Sequence, residues 1–126
     1  MALSKTERNI LPSATNAAGG VTRGVLDLET AHCGILTIKI TNGATGPTVQ
    51  CVCNVLIAHK ATLPAAGSAG ADWKTIRSYG GGTTANGVTE VALPIDIAVM
   101  ALCVEFKGNT VQPVTVEAHM SEISTI

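Results

Sequence analysis

The stretch GILTIKITNGATGPTVQCVCNVLIA, residues 34–58, decides the fold. Its first half alternates strictly, with Leu36, Ile38 and Ile40 on one side and Thr37, Lys39 and Thr41 on the other. Successive side chains of a strand point to opposite faces, so this period of two predicts a half-buried β-strand. Asn42 to Pro47 supplies a turn, because Asn and Gly tolerate positive φ and Pro47 cannot donate to a ladder. The second half puts Val49, Cys51, Cys53, Val55 and Ile57 on one face. Its other face, Gln50, Val52, Asn54 and Leu56, is only half polar, which predicts contact with another sheet or another subunit.

The same signature recurs on both sides of this stretch. VTRGVLDLE (21–29) places Leu26 and Leu28 against Arg23 and Asp27. WKTIRSY (73–79) reads as a short strand with Trp73 and Tyr79 on one face. VTEVAL (88–93) runs up to Pro94. In the most apolar run, Met100, Leu102, Val104 and Phe106 oppose Ala101, Cys103 and Glu105. VTVEAHMSEI (114–123) alternates Val114, Val116, Ala118 and Met120 against Thr115, Glu117, His119 and Ser121. Gly80 to Gly87 is a glycine-rich turn of hairpin type, and 59–72 is a long loop of small residues. No segment carries a sustained 3.6-residue period. Seven short strands punctuated by turn residues predict an all-β domain over 21–126, an antiparallel sandwich or jelly roll. Residues 1–20 read as an irregular arm, since Pro12 and PSATNAAGG have loop composition.

Composition narrows the function. The 126 residues suffice for one domain with a real core. Net charge is −1 and 13% of residues are charged, about half the usual share. The eight Lys and Arg are scattered, which argues against a nucleic-acid partner, because phosphate binding needs a basic face. No apolar run approaches the roughly 18 residues of a membrane span, and the N-terminus lacks the apolar core of a secretory signal, which places assembly in a cytoplasm. With one Phe, one Tyr and one Trp, the core must be aliphatic and thin. Such a domain gains stability by burying surface against neighbouring copies.

Candidate chemistry is sparse. Cys51, Cys53, Cys33 and Cys103, with His32, are the possible metal ligands. Zinc knuckles, however, place two cysteines on a tight turn, whereas Cys51 and Cys53 stand two apart on a strand, roughly 6.5–7 Å along it. Burial as small hydrophobes is the simpler reading. A cross-strand disulfide of Cys103 with Cys51 or Cys53 stays open. His119 alternates outward beside Glu117, as a solvated pair would. Nucleophile elbow, Walker loop and dinucleotide fingerprint are all missing from the sequence, so no catalytic residue, cofactor or metal is expected. Trp73 and Tyr79 form a candidate sugar-stacking platform, weighed against ordinary core packing.

The polar N-terminal segment, then LDLETAHCGILTIKITNGATGPTVQCVCNVLIA, ADWKTIRSY, NGVTEVALPI and VEFKGNTVQPVTVEAHMSEI, resembles the small β-sandwich proteins of tailed bacteriophage virions, and most of all capsid decoration (cement) proteins. The resemblance covers 21 to the end and rests on layout, not on a catalytic signature. It implies a non-enzymatic virion protein that binds the outer surface of an assembled capsid. The implied partners are the major capsid protein and the protein's own copies, as a homotrimer or other symmetric oligomer. Expected contact residues are Lys5, Arg8, Ile10 and Leu11 in the arm, and His59, Lys60, Trp73 and Tyr79. A tail or host-binding module that stacks glycans on Trp73 and Tyr79 is the alternative. A small hydrolase or metalloenzyme comes third.

Overall fold

A computed structural model describes residues 3–60, 62–66 and 72–125. Eight strands are present: β1 (Ser4–Asn16), β2 (Thr22–Asp27), β3 (Cys33–Asn42), β4 (Val52–Ala58), β5 (Lys74–Gly80), β6 (Val88–Ile95), β7 (Ala101–Lys107) and β8 (Val114–Thr125). Sheet A has the order β1-β8-β3-β6 and sheet B the order β2-β7-β4-β5, and every pairing is antiparallel. Strands whose numbers sum to nine are neighbours throughout, which is the nested pairing of a jelly roll. Only β4 and β5 are consecutive partners; every other connection crosses from one sheet to the other. The turns at 43–51 and 81–87 are therefore crossovers and not hairpins.

The alternation read from the sequence is the one that packs. Leu36, Ile38, Ile40, Val114, Val116, Ala118 and Met120 from sheet A meet Leu26, Cys51, Cys53, Val55, Leu102, Val104 and Phe106 from sheet B in one core. Phe106 is the only aromatic residue buried at the centre of this layer, so branched aliphatics fill nearly all of it.

The N-terminal segment corrects the expectation of an irregular arm. Ser4–Asn16 pairs along nearly the whole of β8, from Ser4 opposite Thr125 to Asn16 opposite Val114. Alternation fails there because register shifts lie between Asn9 and Leu11 and between Leu11 and Ala14, each adding a residue. Pro12 sits in the second irregularity, where a missing N–H costs no ladder bond. Ile10 is buried and reaches sheet B: a Cβ at Gly24 would lie 2.8 Å from the Ile10 carbonyl oxygen, so glycine lets β2 close against β1.

One end of the sandwich is tied together by asparagines. Asn109 Nδ2 donates to the carbonyls of Asn16 (3.1 Å) and Gln112 (3.0 Å), and Asn16 Nδ2 donates to Asn109 Oδ1 at 2.6 Å. Asn42 Nδ2 caps the carbonyls of Gly81, Gly82 and Thr84. These buried amides satisfy backbone groups that no ladder reaches, as buried polar groups must.

Candidate docking face

The two sheets treat their outer faces differently. On sheet B, Leu56, Ala58, Ala101 and Cys103 form a second apolar cluster, and Trp73 packs onto it. Trp73 is 4% exposed and its indole N–H donates to the Ala65 carbonyl at 2.7 Å, which fixes the β4–β5 loop against the sheet. The half-apolar face of β4 is thus covered by the chain's own loop, where a second sheet or subunit was expected.

Beside that cluster, one rung crosses all four strands of sheet B. Arg23 stands opposite Glu105, Glu105 opposite Asn54, and Asn54 opposite Ser78. Arg23 Nε donates to Glu105 Oε2 at 2.8 Å, Asn54 Nδ2 to Glu105 Oε1 at 3.3 Å, and Ser78 Oγ to Asn54 Oδ1 at 2.7 Å. Lys107 Nζ lies 3.4 Å from Glu105 Oε1. Glu105 is 1% exposed. Burial alone would raise its pKa, but the bonds from Arg23, Asn54 and Lys107 outweigh that and hold it below the ordinary carboxylate value.

The outer face of sheet A carries no such layer: its side chains are half-buried or exposed. At the end near the asparagines it is polar, with Ser13, Thr41 and Thr115 around the Lys39–Glu117 pair (3.8 Å). At the opposite end it is apolar. Cys33, Ile35, Pro94 and Ile123 line a groove of about 370 Å³, with Lys5 on its wall. Ile35 is 44% exposed. Glu122 also lines this groove, is 4% exposed, and takes Arg8 Nη1 on Oε1 at 3.0 Å. Its Oε2 is buried with no hydrogen-bond partner.

The residues singled out from the sequence do not converge. Lys5 lines this groove and Arg8 pairs with Glu122, while Ile10 lies in the core and Leu11 packs against it. His59 is exposed, and Lys60 pairs with Asp72 at 3.5 Å on the far loop. The glycan platform of Trp73 and Tyr79 is overturned. A bulge at Ile76, between the Val55–Arg77 and Leu56–Thr75 pairs, flips the side-chain alternation of β5. Tyr79 consequently packs on the inner core and Trp73 on the outer cluster, on opposite faces of sheet B.

The disulfide is overturned by the same logic of alternation. Cys51 and Cys53 face the inner core whereas Cys103, opposite Leu56, faces the outer cluster, so the sheet separates them. All four cysteines are free. Burial pushes the Cys51 thiol up to about 11 and Cys53 higher still, which makes both inert. Among the described residues no group of three or more His, Cys, Asp or Glu is placed to hold a metal ion. What reading by residue missed was Glu122 and the asparagine ties. Glu122 continues the inward parity of Met120, a position where a carboxylate needs a partner, and that parity was the available signal.

No protein-family model matches the chain, and neither does any curated protein sequence. Solved structures do. The K3 adhesin domain of Lys-gingipain from Porphyromonas gingivalis superposes with a TM-score of 0.59 at 10% identity, over 87% of this chain and 72% of that one. The enzymatically active domain of tailspike protein 4 of bacteriophage CBA120 gives 0.52 at 14% identity, over 97% of this chain and 19% of that one. The Yersinia pseudotuberculosis-derived mitogen gives 0.50 at 10% identity, over 97% and 87%. The likeness is one of fold. At these identities it extends to the two-sheet β-sandwich and no further.

Proposed function

We propose that this protein is a non-enzymatic virion component that binds the outer surface of an assembled phage capsid and stabilises contacts between major capsid subunits. The observation that carries the reading is the bare outer face of sheet A. It is broad and open, apolar at one end and hydroxyl-rich at the other, while sheet B seals its own apolar face with Trp73. A flat face suits a protein partner better than a small substrate, which needs a concave, enclosing site. Jelly rolls also recur in capsid and lectin domains, an argument by analogy of fold.

Stabilisation follows from mass action. A ligand that binds only the assembled lattice lowers its free energy at each site by an amount that grows with the logarithm of free ligand over its dissociation constant. A symmetric oligomer of this chain, bridging several subunits, makes modest individual contacts sufficient. The test is co-sedimentation with mature capsids, immature capsids and free capsid protein, followed by a reconstruction. Binding to mature capsids alone, with sheet A facing the lattice, is expected. Density at the tail, or equal binding to free subunits, would sink the reading.

A second reading is a tail or host-binding module, and the fold shared with an adhesin domain and with part of a phage tailspike keeps it in view. Glycans would then lie on sheet A, since Trp73 is buried. Glycan-array binding that survives Trp73→Phe and is lost on Ile35→Asp would favour it over the capsid role.

A further inference from the structure

We propose that the free edge of β6 is a strand-addition site for an extended segment of a neighbouring polypeptide, one that carries a basic residue opposite Glu90. The four edge strands differ in what they offer. β1 carries Pro12 and several register shifts, and β2 closes against it where Gly24 meets Ile10. β5 is interrupted by its bulge at Ile76. β6 pairs with β3 from Gly34–Ile95 to Thr41–Val88 without a shift. Bulges and prolines blunt an edge, whereas a regular edge is a template for another strand.

Hydrogen-bond parity shows which groups of β6 are free. The Asn42 N–H donates to the Gly87 carbonyl at 2.8 Å, one step beyond the Thr41–Val88 pair. Bonded and non-bonded pairs alternate in an antiparallel ladder, so Thr89, Val91, Leu93 and Ile95 turn their amides towards β3. Val88, Glu90 and Ala92 turn theirs outward. Pro94 has the same parity, and its missing N–H removes no ladder bond there.

The surroundings set the chemistry of the incoming segment. On the outer face Lys39 stands between Glu117 of β8 and Glu90 of β6, and it pairs with Glu117 at 3.8 Å. Glu90 is exposed and makes no ion pair among the described residues. The row reads acid, base, acid, and a fifth strand continues it with a base. At the other side of the sandwich β1 and β2 come together, but among the described residues no comparable contact joins β5 to β6. Val91, Leu93 and Tyr79 pack on the core and are left half-buried there. Apolar residues opposite Val91 and Leu93 cover them, which is how strand addition obtains its specificity. A second copy of β6 fits less well. Two-fold pairing centred on Glu90 sets the two carboxylates opposite each other, and centring it on Val91 or Ala92 leaves a carbonyl facing Pro94. The source of the segment, a capsid subunit, rests on the reading above. The edge itself is testable on the isolated protein, so failure there and failure of capsid binding are separate results.

The experiment is an NMR titration of the full chain with acetyl-Val-Thr-Val-Lys-Val-Thr-amide. Antiparallel to β6, this peptide sets its lysine opposite Glu90 and its first two valines opposite Leu93 and Val91. Saturable shifts are expected at Val88, Glu90 and Ala92, with slowed hydrogen exchange of those three amides. The peptide with glutamate in place of lysine should bind about threefold or more weaker. Methylating its second and sixth amide nitrogens, which face β6, should abolish binding; methylating the third and fifth, which face away, should not. Glu90→Lys, at an exposed position, should reverse the charge preference. Ala92→Pro, which leaves the β3 ladder intact, should block binding. Absence of saturable binding, shifts mapping elsewhere, equal binding of the two methylated peptides, an unchanged preference in Glu90→Lys, or pairing of the protein with itself through β6 would overturn the proposal.

Discussion

Replacing Glu105 by Gln removes the negative charge at the centre of the sheet B rung while keeping its shape. Three donors converge on the carboxylate, but only the Arg23 bond, at 2.8 Å, has the length of a strong charge-assisted contact; Asn54 at 3.3 Å and Lys107 at 3.4 Å lie beyond the usual optimum. One such bond contributes about 1.5–3 kcal/mol. Arg23 and Lys107 remain 35% and 44% exposed, so both regain water in the variant, and the cost sits near the low end, about 2 kcal/mol. For a chain of this length that lowers Tm by about 6–10 °C. The pH dependence is the sharper test. The folded-state pKa of Glu105 lies below its ordinary value of 4.5, so its contribution is complete above that value and is lost as pH falls through the folded one. Urea denaturation of both proteins at pH 7 and at pH 3 measures the gap, and the other carboxylates cancel in the difference. The gap should shrink on acidification. A gap that is absent at pH 7, or equally large at pH 3, refutes the reasoning.

Three further outcomes follow from single features. Val111, β-branched and 68% exposed, is held at φ 71°, where a side chain of this shape costs about 1–2 kcal/mol; Val111→Asn should raise the urea midpoint by up to about 1 kcal/mol of stability. A Cβ at Gly46 would lie 2.0 Å from the Thr83 carbonyl oxygen, joining the two crossover turns, so Gly46→Ala should lower stability by about 2 kcal/mol or more in the same assay. In a thiol-labelling time course Cys33 alone should react quickly in the native protein. Trp73→Ala, which costs about 3–5 kcal/mol by emptying the outer cluster, should add Cys103 to the fast phase while Cys51 and Cys53 stay protected.

How much of this was legible depends on whether alternation survived intact. β3, β7 and β8 keep strict register, and their inward residues read from the sequence are those in the core. Where a bulge inserts a residue, parity reverses without any mark in composition. That hid β1, whose segment resembles a loop, and it misplaced Trp73 relative to Tyr79. The asparagines were legible only as turn formers. Asn16 and Asn109 bond each other across 93 residues, and Asn42 reaches carbonyls 39 to 42 residues away; local pattern carries no trace of such contacts. The Arg8–Glu122 pair was not legible, because bringing Arg8 beside Glu122 needed residues 4–16 to be a strand on β8.

The pairing of β1 with β8 sets the timetable of synthesis. Within this domain β1 is made before every other strand, yet its one sheet neighbour is β8, made after every other. Sheet A cannot close until translation has passed Val114–Thr125, and until then β1 has no ladder partner. Contacts of such long reach fold slowly, on the order of milliseconds to seconds. Loss of the β8 segment therefore leaves the domain's earliest-made strand without a partner as well.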